Sequence, residues 1–368
     1  MLIIDSHLDL SMNALQWNRD LLLSVYTIRA QEGGRSGRGQ GTVAYPEMRQ
    51  GRVALSFATM IARCTGRPQP HIDYATVAQA YGVARGQLAY YRALEHDGHV
   101  RIVAERTELD KHIAAWEAWE AADEEATSSA AGSENDPGPH PPLGFVIAME
   151  GADPIMEADQ LEEWWAAGLR VLGLTHYGPG RYAGGTATEL GLSDLCPALL
   201  AEMERLGMIL DLTHCSDQAF WQALEHYSGP VLGSHQNTRA LVPHQRQWTD
   251  EQIQAIIDRD GVLGASCDVW MLKSGWSRGV DTNEGVTLDT LADHMDHVCQ
   301  LAGNSRHAAI GSDLDGGFGQ DQSPQDLQSI ADLQKLAGIL AGRGYGAEDI
   351  ANIMHGNWLR LLRQAWGA

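Results

Sequence analysis

Two histidines stand at the ends of short apolar runs, at a spacing that could bring them to one metal ion. His214 follows the apolar residues 208–212, and His235 follows residues 231–232. Runs of this kind are typical of buried strands in a parallel sheet. Residues 216–227 between them have helical spacing and begin with a serine suited to an N-cap. Because two parallel strands joined by a helix end at the same sheet edge, we expect the two imidazoles to lie side by side.

Three further residues at predicted strand ends could be metal ligands. His7 and Asp9 follow a strand near residue 3, and in an extended backbone their side chains project to the same side. Glu150 ends the apolar residues 144–149, where a buried carboxylate needs a cation, either a metal or an ion-pair partner. A simple turn is the alternative for His7 and Asp9, and an ion pair is the alternative for Glu150.

These five residues predict a centre for two metal ions. His7 and Asp9 would bind one ion, His214 and His235 the other, and Glu150 would bridge them. Nitrogen and carboxylate ligands without thiolate favour zinc, with manganese and iron left open. By contrast, His294 and His297 lie on a predicted helix rich in aspartate, and we expect them on a solvated face.

The elements that position these residues alternate between strand and helix. Eight strands are predicted, near residues 3, 56, 146, 171, 209, 231, 263 and 309. This pattern indicates an α/β fold of the (β/α)8 TIM barrel type, in which catalytic residues follow the strands. His176 and Asp313 also directly follow predicted strands. We expect residues 1–368 to form a single domain, with an exposed loop insertion at 123–142, where the sequence is acidic and then rich in Ser, Gly and Pro.

Composition excludes several classes of function. The 48 acidic and 26 basic residues give a net charge of −22, which argues against nucleic acid and anionic membranes as partners. No apolar run is long enough to span a membrane, and a strand begins directly after Met1, so we expect no signal peptide and a cytoplasmic protein. The five scattered cysteines, without a CxxC motif, are expected to be reduced and mostly buried.

Taken together, the motifs resemble those of the zinc-dependent membrane (renal) dipeptidases, peptidase family M19, and in particular their bacterial soluble members. The resemblance extends over nearly the whole chain. The residues that carry it are Asp5-Ser6-His7-Leu8-Asp9, Met149-Glu150-Gly151, Asp211-Leu212-Thr213-His214, Ser234-His235-x-Asn237, Arg246, Gly311-Ser312-Asp313-Leu314-Asp315-Gly316 and His355-Gly356-Asn357-Trp358-x-Arg360.

The resemblance implies a barrel of the metal-dependent hydrolase (amidohydrolase-like) type that binds two zinc ions per chain and forms a homodimer. It assigns Arg246 to the terminal carboxylate of the substrate, His176 to the scissile carbonyl oxygen and Asp313 to proton transfer. For Arg246, a surface ion pair with Asp250 or Glu251 is the alternative. The family often has asparagine at the positions of Leu8 and Gln247, so substrate preference stays open.

The expected activity is hydrolysis of dipeptides, including those with a D-residue at the C-terminus, by a hydroxide that bridges the metals, with Glu150, His176 and Asp313 as the catalytic residues. Small dipeptides are the expected partners, with no nucleic acid and no membrane. Two alternatives remain: another binuclear-metal amidohydrolase, such as an N-acyl amino acid deacylase or a lactonase, and an inactive metal-binding protein.

Overall fold

A closed barrel of parallel strands forms the centre of the molecule. The computed structural model describes residues 1–33, 38–128 and 139–367, without the side chains of residues 126–128. Its strands are β1 (Ile3–Leu8), β2 (Val53–Ile61), β3 (Val100–Ile102), β4 (Leu143–Glu150), β5 (Leu169–Gly173), β6 (Ile209–Asp211), β7 (Val231–Gly233), β8 (Val262–Ala265) and β9 (Ala308–Ile310). Every strand except β3 belongs to the ring, which the pairing of β2 with β4 closes. The predicted (β/α)8 barrel is therefore confirmed.

Two details of the strands differ from the prediction. The strand β3 was missed: it has three residues and pairs only with the beginning of β4, where Val100 lies opposite Leu143. A segment this short shows no diagnostic periodicity. In addition, β1 continues to Leu8, so His7 lies within the strand rather than after it. All six residues of β1 are buried, including its polar ones, which is why the apolar run underestimated its length.

Helices connect the strands and surround the barrel. They are α1 (Leu10–Leu15), α2 (Val25–Glu32), α3 (Tyr45–Gln50), α4 (Val77–His96), α5 (Arg106–Ser128), α6 (Leu161–Ala166), α7 (Cys196–Leu206), α8 (Asp217–His226), α9 (Asp250–Asp258), α10 (Val269–Leu272), α11 (Leu288–Ala302), α12 (Lys335–Gly342), α13 (Ala347–Ala351) and α14 (Asn357–Ala365). Side-chain caps fix several starts: the hydroxyl of Ser216 accepts a hydrogen bond from the Ala219 amide at α8, and Thr249 forms a capping box at α9.

The predicted loop insertion at 123–142 begins later than expected. The helix α5 continues to Ser128, because its last turns are rich in alanine and glutamate, which favour a helix. Arg52 also fixes this part of α5 through ion pairs of 2.5 Å to Glu120 and 2.8 Å to Asp123. Residues 129–138 of the predicted loop lie outside the described residues, and β4 begins at Leu143.

The core consists of the barrel and the inner faces of its helices. All nine residues of β2 and all eight of β4 are buried, as expected for strands enclosed on both sides. Trp358 of α14 packs on Phe57 of β2, with ring centroids 5.4 Å apart. All five cysteines are free thiols and four of them are buried, which confirms that prediction. No helix in the described residues combines the length and the apolar character that a membrane crossing requires.

Candidate active site

A cavity of about 600 Å³ lies where the strands of the barrel end. Its wall contains seven of the eight residues that the sequence singled out, namely Asp9, Glu150, His176, His214, His235, Arg246 and Asp313. The eighth, His7, does not line the cavity but contacts residues that do. Its Nε2 atom lies 3.7 Å from an oxygen of Glu150 and 3.8 Å from an oxygen of Asp313. The structure therefore brings all eight residues together.

Glu150 is at the centre of this cluster because it is the last residue of β4. Its Oε1 atom lies 3.1 Å from Nε2 of His214, 3.3 Å from Nε2 of His235 and 3.7 Å from Nε2 of His7. Nε2 of His176 is 3.8 Å away. Four imidazole nitrogens thus surround one carboxylate oxygen.

The donor set fits divalent metal ions. Three sets of ligand atoms lie within 4.8 Å of one another: His7, Glu150 and His235; Glu150, His176 and His214; and His7, Asp9 and Asp313. Among the described residues, the buried His7 Nε2 and Asp9 Oδ1 atoms have no hydrogen-bond partner. Leaving such atoms unpaired costs stability, whereas metal coordination would satisfy them. Imidazole and carboxylate ligands are those of zinc-type ions.

Hydroxyl groups behind the histidines orient the rings. Nδ1 of His214 lies 3.0 Å from the hydroxyl of Thr186, and Nδ1 of His235 lies 2.9 Å from the hydroxyl of Ser234. Both contacts direct Nε2 towards Glu150, as partners behind a metal ligand commonly do. His214 also adopts a positive φ of 67°, which is strained for a residue other than glycine.

Burial governs the charges in the cluster. It lowers the pKa of His214 and of His235 well below 6.5, and the nearby Arg246 lowers both pKa values further, so both rings are neutral and able to bind a metal. Burial also raises the pKa of Glu150 to about 8. For His7, burial alone would lower the pKa, but the negative charges around it, that of Glu150 foremost, raise it to about 10. The cluster thus has an excess of buried carboxylates that favours bound cations.

Arg246 contributes a buried positive charge to the cavity. Its side chain donates hydrogen bonds of 2.6 Å to Oε1 of Gln236 and 2.8 Å to the carbonyl of His235, both of which are neutral. Within the described residues no carboxylate lies within 4.0 Å of its guanidinium. The alternative of a surface ion pair with Asp250 or Glu251 is therefore wrong. The arrangement leaves the guanidinium able to bind an anionic ligand.

The two aspartates of the Asp313-Leu314-Asp315 motif have different surroundings. Asp313 lines the cavity, and burial raises its pKa well above 3.8. Asp315 instead accepts hydrogen bonds from the amide and hydroxyl of Thr42, at 2.7 and 2.8 Å, and pairs with Arg19 at 3.4 Å. Asp313 is thus available for chemistry, and Asp315 anchors a neighbouring segment.

Arg63 was missed by sequence reasoning. Its Nη1 atom lies 3.0 Å from Nδ1 of His176, and Asp73 holds the same guanidinium at 3.5 Å. Because a guanidinium can only donate, Nδ1 of His176 accepts, and the ring proton lies on Nε2, which faces Glu150.

Asp268 and Tyr177, which also line the cavity, were missed as well. Arg63 and Asp268 directly follow predicted strands, as the recognised residues do, and that position could have identified them. The expectation for His294 was wrong: this residue is buried and accepts a hydrogen bond of 3.1 Å from the amide of Thr238.

A (β/α)8 barrel with imidazoles and carboxylates converging at its strand ends is the architecture of a metal-dependent hydrolase. The family model of the membrane dipeptidases, peptidase family M19, matches residues 1–367, and the chain belongs to this family. It is an enzyme of the dipeptidase class, in a family of metallopeptidases.

Three similar proteins illustrate the relationship. An uncharacterized protein in the pqqA 5' region of Klebsiella pneumoniae is 31% identical over 233 residues, which cover 61% of this chain and 83% of the relative. Dipeptidase aclJ of Aspergillus oryzae is 27% identical, over 88% of this chain and 69% of the relative. The crystal structure of a metallo peptidase from Rhodobacter sphaeroides, liganded with a phosphinate mimic of the dipeptide L-Ala-D-Ala, superposes with a TM-score of 0.75 at 22% identity, covering 100% of this chain and 99% of that one. This likeness supports the fold.

Proposed function

We propose that this dipeptidase works with two zinc ions, bound by His7, Asp9, Glu150, His214 and His235. The observation that carries the proposal is the position of Glu150, whose Oε1 atom lies within 3.1 to 3.8 Å of four imidazole nitrogens. A carboxylate so placed suits a ligand shared between two ions. The His7 Nε2 and Asp9 Oδ1 atoms, which have no hydrogen-bond partner in the described part of the chain, supply further ligand positions.

Bound zinc would polarise the scissile carbonyl and lower the pKa of water, which makes a nucleophile available at neutral pH. His176 stabilises the negative charge that develops on the carbonyl oxygen, because its Nε2–H donates into the cavity. Arg63 positions His176 by holding its Nδ1 atom as an acceptor. The Asp313 carboxylate takes up the proton of the attacking water and delivers it to the leaving amine. Its raised pKa suits a group that holds a proton between these steps.

Arg246 defines the substrate as a dipeptide. The Arg246 guanidinium is buried beside the cluster and has no carboxylate within 4.0 Å among the residues that the structure describes, and it binds the C-terminal carboxylate of the substrate. Its Nη2 atom lies 3.4 Å from Nε2 of His214, so the anchored carboxylate is held next to the cluster. This proximity leaves room for one residue between the anchor and the bond that is cut. We propose that a D-residue is accepted there, which is supported by the L-Ala-D-Ala mimic bound to the Rhodobacter sphaeroides protein.

The experiment compares metal content and substrate range. Purified protein is stripped with a chelator, reloaded with zinc and assayed on L-Ala-L-Ala, L-Ala-D-Ala, an N-acetyl amino acid and a lactone. We expect two zinc ions per chain and hydrolysis of the dipeptides. Glu150→Gln should lose metal and turnover but keep its fold, whereas Glu163→Gln, an exposed control on α6, should behave as wild type. Absence of stoichiometric metal after loading, or hydrolysis of the N-acetyl amino acid or the lactone without any dipeptide, would refute the proposal.

We also propose that the protein has no nucleic-acid or membrane partner and acts as a cytoplasmic homodimer. The net charge of −22 supports the exclusion of nucleic acid and anionic membranes. Light scattering of the purified protein and fractionation of its cells test the homodimer and the location.

A further inference from the structure

Asp268 is a carboxylate in the cavity wall whose hydrogen bonding is incomplete. It follows β8, is 6% exposed and lines the cavity. Its Oδ1 atom accepts hydrogen bonds of 3.3 Å from the Trp270 amide and 2.7 Å from Nε2 of Gln322. In the part of the chain that the structure describes, Oδ2 has no hydrogen bond, and no basic side chain lies within 4.0 Å of the carboxylate.

This arrangement orients the carboxylate without neutralising it. Trp270 and Gln322 are neutral, and the amide of Trp270 and Nε2 of Gln322 both donate to Oδ1. The Trp270 side chain also lowers the pKa of this carboxyl. Among the described residues no hydrogen bond within 3.5 Å reaches Oδ2, so this oxygen remains for a ligand. Arg278 also lines the cavity, and its charge lowers the pKa of Asp268. Its side chain is exposed, however, and its guanidinium donates to the carbonyl of Gly317 at 2.7 Å rather than to the Asp268 carboxylate. Burial raises the pKa of Asp268 to about 6, so the group is mostly ionised above pH 7. A buried negative charge of this kind favours a cationic ligand.

The cavity therefore has an unpaired charge of each sign. Within the described ranges of the chain, Arg246 on the loop after β7 has no carboxylate within 4.0 Å, and Asp268 after the neighbouring β8 has no basic side chain within 4.0 Å. A dipeptide carries a carboxylate, which Arg246 could bind, and an ammonium group, which Asp268 could bind. An N-acyl amino acid or a lactone has no ammonium group to offer.

We propose that Asp268 binds an ammonium group of the substrate and thereby selects free dipeptides over acylated amino acids. The inference rests on the proposed dipeptidase function and narrows its substrate class. The ammonium is either the α-amino group of the dipeptide or the side chain of a lysine residue, and the assay separates these two sources.

The test uses Asp268→Asn in the zinc-loaded enzyme. Asparagine keeps the oxygen that accepts from Trp270 and Gln322 and removes only the charge. Asp321→Asn is the matched control, because it makes the same change of net charge at an exposed residue next to Gln322. The substrates are L-Ala-L-Ala and N-propionyl-L-alanine, which is the same molecule without its amino group. Dipeptides with lysine or methionine at either position complete the set.

We expect the wild type and Asp321→Asn to prefer L-Ala-L-Ala over N-propionyl-L-alanine. In Asp268→Asn this preference in kcat/KM should fall by about 10- to 100-fold, as expected when one charge-assisted hydrogen bond is lost. If the lysine side chain is the ligand, the preference for lysine over methionine falls by that factor instead. Equal losses on every substrate, or unchanged ratios, would overturn the inference while leaving the dipeptidase function in place. Failure of the wild type to hydrolyse any dipeptide would overturn both.

A second measurement needs no variant. Phosphinate mimics of L-Ala-L-Ala with and without the amino group are compared as inhibitors of the wild type. We expect the mimic with the amino group to bind at least about 10-fold more tightly. Equal inhibition by the two mimics would contradict a role for Asp268 in ammonium binding.

Discussion

Removing the Arg246 side chain should abolish the advantage that a free C-terminal carboxylate gives a substrate. Arg246 is 3% exposed, and the two shortest hydrogen bonds of its guanidinium go to neutral oxygens, those of Gln236 and His235. Its charge is therefore available to a ligand. A hydrogen bond between charged partners is worth about 1.5–3 kcal/mol, which corresponds to a factor of about 10 to 150 in kcat/KM. Arg246→Ala should cost at least that factor on L-Ala-L-Ala.

The assay is a cycle of two changes, one in the enzyme and one in the substrate. L-Ala-L-Ala and its C-terminal amide are given to the wild type and to Arg246→Ala. The wild type should prefer the free acid by about 10- to 150-fold. The variant should hydrolyse both slowly and about equally, because both changes remove the same interaction and their effects do not add.

Arg239→Ala is the control on the same loop. Its guanidinium pairs with both oxygens of Asp217, at 2.9 and 2.7 Å, and so is already neutralised. We expect this variant to keep the wild-type preference for the free acid. Arg246 also supports the carbonyl of His235, so the variant could lose metal affinity, but that loss would affect both substrates alike. An Arg246→Ala enzyme that keeps the wild-type ratio of acid to amide would refute the assignment.

Two further predictions concern proton transfer and stability. Asp313→Asn should lower kcat by about 10² to 10⁴-fold with unchanged zinc content by elemental analysis, and near-wild-type turnover would place proton transfer elsewhere. His112 should destabilise the fold in acid: its Nε2 atom contacts the Ala54 carbonyl at 2.8 Å, its Nδ1 atom has no partner among the described residues, and burial lowers its pKa to about 4. Above pH 6.5 the His112 ring is neutral in both the folded and the unfolded protein. As the pH falls towards 4, the unfolded chain binds a proton at this histidine before the folded protein does. The free energy of unfolding therefore decreases by up to about 3 kcal/mol. Urea unfolding at pH 7 and 4.5 should show a smaller decrease in the free energy of unfolding for His112→Gln than for the wild type. Equal decreases would refute the role of His112 in acid destabilisation.

The barrel could be predicted because its strands are enclosed on both sides and therefore consist largely of consecutive apolar residues in the sequence. The same feature made the boundaries inexact: β1 contains buried polar residues, among them Asp5 and His7, and the apolar signal stopped before them. Asp5 can be buried because its Oδ1 atom accepts hydrogen bonds from the amides of His7 and Ser312, at 3.2 and 2.9 Å. Ser312 is more than 300 residues away along the chain, and no local pattern reveals such a contact.

The site could be predicted in part, by the rule that functional residues follow strands. That rule applies to Arg63 and Asp268 as well, but neither residue has a neighbouring histidine or belongs to one of the motifs that carry the family resemblance. The prediction for His294 was wrong for a different reason. Helical spacing and neighbouring aspartates indicated a solvated face, whereas the loop after β7 covers this histidine through the amide of Thr238. The orientation of a helix against a loop depends on tertiary packing, which periodicity alone does not determine.

The charged residues of the cavity wall explain why both metal ions and a dipeptide suit this site. Four carboxylates line the cavity, those of Asp9, Glu150, Asp268 and Asp313, against the guanidiniums of Arg246 and Arg278. Burial raises the pKa of Glu150 and of Asp313, so it disfavours the charged forms of these carboxyl groups. Divalent cations would stabilise the ionised forms, and His214 and His235 are neutral and able to bind such cations. A zwitterionic dipeptide adds no net charge, so it can enter a metal-loaded site without disturbing this balance. Among the charged wall residues outside the metal cluster, neither Arg246 nor Asp268 has an ion-pair partner within 4.0 Å in the described chain, and the two charged ends of a dipeptide would supply such partners.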